Sequence, residues 1–147
     1  MRSRYWLYQA DVVDSSHGAF DEASVSVISV ATMLGVERVL DRPVDRRRFR
    51  PNIVVETNVG DPFNEDQCVG QRLVFGDSHD GASVSITLRD QRCMMINLDS
   101  DTAEQNPFVM KAVARMNQNN AGAYGTVVRE GQLTAGQTVY LVSDSER

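Results

Sequence analysis

The sequence predicts an α+β domain, mainly β, in which one sheet curls into a barrel or sandwich with about two peripheral helices. Three observations carry that prediction. Six or seven short apolar or alternating runs are separated by turn formers, and two other segments have helical spacing. Helix and strand also alternate too irregularly for a doubly wound sheet. At 147 residues the chain reads as a single domain, 1–147, large enough to bury an ordinary core. It shows no internal repeat, no low-complexity linker and no glycine-rich phosphate loop.

Residues 1–23 read as a short strand or irregular lead-in with a loop, since Trp6, Tyr8, Val12 and Val13 are mixed with the turn formers Asp14 to Gly18. Val25 and Val27 alternate with Ser26 and Ile28, which predicts a short strand ending at Ser29. There the period changes. Met33, Leu34, Val36, Val39 and Leu40 recur at helical spacing, Ser29 is placed to cap the helix, and Arg42-Pro43 closes it. A hydroxyl residue at a strand-to-helix turn either presents N–H groups to an anion or caps only its own helix; both readings stay open.

Ile53-Val54-Val55 is a compact β-branched strand, stopped by Gly60-Asp61-Pro62. Asn64 to Gly70 reads as a loop, with Glu65 and Asp66 as loop charge, and Leu73-Val74-Phe75 as a strand. Gly76 to Gly81 is a hairpin-like connection. Ala82 to Leu88 has the cleanest alternation: Val84, Ile86 and Leu88 are expected on the core face, with Ser83, Ser85 and Thr87 opposite. Met94 to Leu98 is expected to form the next strand, closed by an Asp99-Ser100-Asp101-Thr102 turn. Asn106 as cap and Pro107 at the first position start a helix to about Asn117 that buries Val109, Val113 and Met116. Ala123 to Arg129 and Val139 to Val142 complete the strands.

A formal charge of -5 argues against a general nucleic-acid binder. The start of the chain reaches Gln9 and Asp11 before an apolar core of signal-peptide length forms, and the run Val25 to Val36 is too short and polar to cross a bilayer. These features predict a soluble, cytoplasmic protein with no membrane partner. Two widely spaced cysteines are too few for a disulfide framework or a structural zinc site.

The best candidate for chemistry is Cys93, between Arg92 and Met94, where a polar loop meets an apolar run. Neighbouring guanidinium groups favour a thiolate, which serves as a nucleophile or soft-metal ligand; the competing reading is a small buried hydrophobe. Cys68 has acidic and amide neighbours and is the weaker candidate. Arg46, Arg47, Arg48 and Arg50 form either a solvated face or a seat for a phosphate or other small anion. His17 and His79 lie in turn-rich loops without a nucleophile at a recognised spacing and read as surface residues. Asp99 and Asp101 lack the glycine and terminal glutamate of a calcium loop, so they read as a turn pinning the strand expected after Cys93.

Taken together, three segments resemble the pattern of the MOSC domain family, the molybdenum cofactor sulfurase C-terminal domains, in its standalone short form. Arg48-Phe49-Arg50-Pro51-Asn52-Ile53-Val54-Val55 is similar to the family's arginine-proline-asparagine strand motif. Arg92-Cys93-Met94-Met95 with Asp99-Ser100-Asp101-Thr102 is similar to its cysteine motif and aspartate-rich turn. Tyr124-Gly125 through Val139, with Gly131, Leu133 and Gly136, resembles its glycine-punctuated C-terminal strands. The likeness is weakest over 1–24. The chain departs from the pattern in having Cys68 where relatives often have an aromatic residue, Gln91 where serine is frequent, Ile96-Asn97 for a pair of threonines, and Ala103 where glycine is usual.

The resemblance implies a β-rich, barrel-like fold. It assigns Cys93 as the molybdenum ligand and catalytic thiolate. It assigns Arg50 and Asn52 to the pterin and phosphate of the molybdenum cofactor (molybdopterin), with Ser29 and Arg92 as neighbouring cofactor contacts. It also carries a family-level association with pyridoxal phosphate. Three functions follow as expectations: a cofactor-binding or sulfur-carrier domain, as one component of an oxidoreductase; a non-catalytic binding module that keeps the fold without cofactor; and a complete reductase of N-hydroxylated compounds, whose extra N-terminal β domain this chain has no room for. Without that companion, sheet edges and apolar surface should be exposed, which predicts a homodimer and a separate redox or companion protein.

Overall fold

The computed structural model describes residues 4–10, 25–57, 60–77 and 80–143. Seven strands, β1 (Arg4–Ala10), β2 (Val25–Ser29), β3 (Ile53–Thr57), β4 (Gln71–Phe75), β5 (Ser83–Gln91), β6 (Asn120–Arg129) and β7 (Thr138–Ser143), are joined by two helices, α1 (Val30–Leu40) and α2 (Pro107–Asn117). The strands close into a barrel in the order β1-β3-β2-β6-β5-β4-β7. Only β2 and β3 run parallel, Val27 opposite Ile53 and Ser29 opposite Val55, because α1 returns the chain to the same end before β3 begins. Sequence spacing thus predicted the α+β, barrel-forming class and both helices.

Two cores share the barrel wall. Inside, Tyr5, Leu7, Val25, Val27, Ile53, Val55, Leu73, Phe75, Val84, Ile86 and Val139 interdigitate. Outside, α1 and α2 bury Met33, Val36, Val109 and Val113 against Ile28, Val54 and Ala121. β2 is therefore buried on both faces, with Val25 and Val27 in the inner core and Ile28 in the outer one, and its serines Ser26 and Ser29 are buried as well. Each such aliphatic side chain contributes about 1.5–3 kcal/mol when fully withdrawn from water. Gly122, at φ 90°, passes under Val27, where a Cβ would lie 2.9 Å from the Val27 carbonyl oxygen.

Four sequence expectations change. The first is Leu88, which is half exposed: the β5–β6 register slips between Ile86 and Leu88, and that bulge breaks the alternation and turns Leu88 outward. Second, Met94–Asn97 is a short 3₁₀ turn instead of a strand, because Ile96 sinks into the outer core and the Asn97 carbonyl is claimed by Arg48 Nη1 (2.8 Å) and by Asn106 N (2.8 Å). Third, Asn64–Cys68 is also a 3₁₀ turn, and Glu65 within it is 1 % exposed and is not loop charge. Fourth, the ring of pairings leaves no open sheet edge among the described strands, so the expected exposed edges are absent. The readings of His17, His79 and the Asp14–Gly18 loop lie outside the described residues.

Candidate functional site

β5 and β3 deliver the expected site residues. β5 ends at Gln91, two residues on comes Cys93, and Cys93 starts the Met94–Asn97 turn with its thiol exposed. The buried-hydrophobe reading of this cysteine is thereby corrected: tertiary packing draws in Ile96 and leaves Cys93, Met94 and Met95 in solvent. Arg50 closes the Arg46–Phe49 turn in a left-handed conformation, φ 48°, with an exposed side chain that has no partner among the described residues. Asn52 is locked to Ser26. Its Oδ1 accepts from Ser26 N at 2.8 Å, its own N–H donates to Ser26, and the Ser26 hydroxyl shares its one hydrogen between Asn52 Oδ1 and the Arg50 carbonyl, each at 3.2 Å. Ser26 is therefore the peg on which the Arg50–Asn52 turn hangs.

The arginine cluster is neither simply a solvated face nor a free anion seat. Arg47 grips Asp101 through both terminal nitrogens, at 3.0 and 2.7 Å, and also Asp45, whose carboxyl is held below the usual range by that hydrogen bond. Arg48, largely buried, donates to the Asn97 carbonyl and faces Asp99 at 3.8 Å. Arg46 is also engaged. These contacts fasten the Arg46–Phe49 turn to the segment beyond Cys93. Asp99 folds that segment as the sequence predicted: its Oδ1 accepts the Asp101 and Thr102 N–H groups, which hold its carboxyl below the ordinary range.

Arg92 and Ser29 are placed differently from Cys93 and Arg50. The Arg92 guanidinium, 10 % exposed, pairs with Asp90, donates from Nη2 to the Phe49 carbonyl at 2.7 Å and lies 5.8 Å from the centre of the Phe49 ring. Burial pushes the Asp90 carboxyl up, and Arg92 pulls against it. Ser29 caps α1, accepting from Thr32 N at 3.1 Å, and is fully buried on the face of β2 opposite Ser26. Its hydroxyl continues into a network that sequence reasoning missed. Thr32 Oγ1 donates to Glu65 at 2.7 Å and accepts from Phe63 N at 2.7 Å, so a buried carboxylate sits over the start of α1. Burial raises the Glu65 pKa, with the Ser29 and Thr32 hydroxyls opposing. A neighbouring acidic residue in a loop gave no signal of this.

Tyr124 and Asp90 are the other residues missed at the outer site. Tyr124 stands opposite Ser26 on β6, half-buried, and its hydroxyl interacts with the Asp90 carboxylate close to Cys93. Burial raises the Tyr124 pKa. Its place in the Tyr124-Gly125 pair was visible in sequence; its neighbours were not. Cys68 lies on the other side of the wall, inside the barrel, donating to Tyr5 Oη at 3.6 Å, with burial pushing its thiol up to about 11. No cluster of three or more His, Cys, Asp or Glu suited to a metal occurs among the described residues.

A family model described as the MOSC domain matches residues 14–140. No curated protein matches. Among solved structures, the YuaD protein from Bacillus subtilis superposes with a TM-score of 0.62 at 12% identity, over 95% of this chain and 85% of that one. YiiM from Geobacillus stearothermophilus superposes with a TM-score of 0.57 at 20% identity, over 81% of this chain and 54% of YiiM, so the matched region spans about half of that protein. At these identities the likeness is one of fold. No helix among the described residues is long and apolar enough to cross a membrane.

Proposed function

This chain belongs to the MOSC domain family, which is associated with the molybdenum cofactor, and from that premise we propose that it binds molybdenum cofactor through the Cys93 thiolate. The observation that carries the proposal is the mounting of an exposed thiol and an exposed guanidinium without a partner among the described residues on one clamped assembly: Cys93 on the β5 side, Arg50 on the β3 side, held together by Arg48 and Arg92. The donor set suits the ligand. A thiolate is a soft ligand for molybdenum, the Arg50 fork matches a phosphate, and Asn52, its Oδ1 already committed to Ser26, offers its amide N–H groups to a ring edge. Bound cofactor would supply oxidation and reduction at molybdenum. The chain's own residues bind and orient it, as a component of an oxidoreductase or, through the same thiol, as a carrier of sulfur.

A second reading, a cofactor-free binding module, is favoured by one observation. Arg47, Arg48 and Arg92 are spent on protein acceptors, which leaves Arg50 as the exposed phosphate donor of the turn. Elemental analysis of protein purified from a cofactor-producing host separates the readings. Molybdenum in the unsubstituted chain and its loss in Cys93→Ala support the first; no molybdenum in either supports the second. Exposed Val39, Met94, Phe108 and Val128, each more than half accessible, support self-association as part of this proposal, in place of the sheet edges the barrel does not have. A monomeric mass by light scattering would remove it.

A further inference from the structure

We infer that Arg92 is a positioning residue that fixes the separation between the Cys93 thiol and the Arg50–Asn52 turn. A path with a single non-covalent link joins the two. Cys93 is bonded to Arg92, Arg92 Nη2 donates to the Phe49 carbonyl at 2.7 Å, and Phe49 is bonded to Arg50. The other terminal nitrogen and both backbone polar groups of Arg92 are also anchored. Nη1 meets the Asp90 carboxylate and, at 3.4 Å, the Ala121 carbonyl; its backbone N–H donates to Asn119 O at 2.8 Å; its carbonyl accepts from Asn119 Nδ2 at 2.7 Å. The far end is anchored as well, since the Arg50 N–H donates to Arg47 O at 3.1 Å and the Arg50 carbonyl accepts from Ser26.

The chemistry requires arginine at this position. A planar fork can address Asp90, Ala121 and Phe49 at once, whereas an ammonium is a point donor that can stay with Asp90 and lose the carbonyls. The guanidinium contacts of Arg47 and Arg48 tie the same two turns further along the chain from Cys93, at Asn97, Asp99 and Asp101. Arg92 therefore acts on a ligand through Cys93 and Arg50, with its own terminal nitrogens facing protein. Its consequence for cofactor retention rests on the cofactor reading above; its geometric role does not.

Spin labels on Cys93 and on Arg50→Cys report the separation directly by electron paramagnetic resonance. Cys68 is buried and its thiol stays protonated, so it does not compete for label. A narrow distance distribution is expected with Arg92 present, a broadened one in Arg92→Lys and Arg92→Gln, and a narrow one in the control Arg47→Ala, which cuts only the outer clamp. A purely stabilising role would lower the thermal midpoint of Arg92→Lys without broadening the distribution well below it, and that result would overturn the inference. Should Arg92→Gln fail to fold, Arg92→Lys decides alone. Molybdenum per chain, measured in parallel without labels, should fall about tenfold in folded Arg92→Lys, the scale on which residues that orient a metal ligand act. Broadening with undiminished molybdenum would overturn the functional half. Molybdenum absent from the unsubstituted chain would overturn the cofactor reading alone, and the distance measurement would still support or overturn the role of Arg92.

Discussion

Cys68 and Cys93 sit on either side of the barrel wall and show how little a residue's sequence neighbours say about its environment. Cys68 follows Glu65, Asp66 and Gln67, a polar run, yet it is 3 % exposed and packs with Tyr5 among aliphatic side chains. Cys93 precedes Met94, Met95 and Ile96, an apolar run, yet it is exposed. Its two nearest arginines also behave unexpectedly: Arg92 points at Asp90 and Phe49, and Arg89 faces Asp66 at 3.8 Å. The interior is held by apolar packing around a few hydroxyl-bound polar groups; the rim is held by guanidinium contacts between turns.

The sharpest difference should be in thiol reactivity. An alkylating reagent is expected to modify Cys93 rapidly in the native protein and Cys68 only on unfolding, as read by mass spectrometry of the two peptides; equal native rates would break the contrast.

Next in size is the interior network. Glu65→Ala leaves the Thr32 hydroxyl and the start of α1 without their acceptor and opens a cavity, at a cost of about 2 kcal/mol in urea unfolding. Because burial raises the folded pKa of Glu65 above its ordinary 4.5, the folded state holds the proton more tightly than the unfolded one. Its stabilising contribution is full below 4.5 and is lost as pH rises through the folded value. Stability of the unsubstituted chain minus that of Glu65→Gln should therefore decline over that window, and a flat difference would contradict the burial argument.

At the rim, Arg48→Ala removes a largely buried donor from the Asn97 carbonyl and is expected to cost about 1–2 kcal/mol. Arg47→Ala cuts an exposed clamp and should leave the urea midpoint unchanged within error, more so at high salt. A larger loss for Arg47 than for Arg48 would reverse the assignment of which guanidinium holds the turns. The smallest effect is a gain. Ala103 adopts φ 59°, where an L residue is strained, and the family pattern has glycine. Ala103→Gly should relieve about 1 kcal/mol of that strain, offset in part by the greater freedom of the unfolded chain, for a small net rise in thermal midpoint.

Much of the fold was legible because local chemistry agreed with the final structure. Ser29 and the period change after it marked α1, Asn106-Pro107 marked α2 within its observed bounds, and β-branched Ile53-Val54-Val55 marked β3. The misreadings fall where distant contacts outvote local preference. Met94–Asn97 has a strand-like composition, but Arg48, Asn106 and Met110 all hydrogen-bond Asn97 and wind it into a turn. Leu88 kept its alternation in sequence and lost it to a bulge.

By itself the sequence determined the class of fold, the two helices with their caps, most strand positions and the residues that carry the family resemblance, all of which depend on period, turn chemistry and motif. Only the tertiary structure decided which polar groups are free: that Arg50 is open to solvent while Arg47, Arg48 and Arg92 are occupied, that Ser29 and Glu65 face inward, and that Cys93 is exposed while Cys68 is not. The reason is physical. A side chain's availability depends on which partners the barrel brings within hydrogen-bonding distance, and many of those lie tens of residues away in sequence.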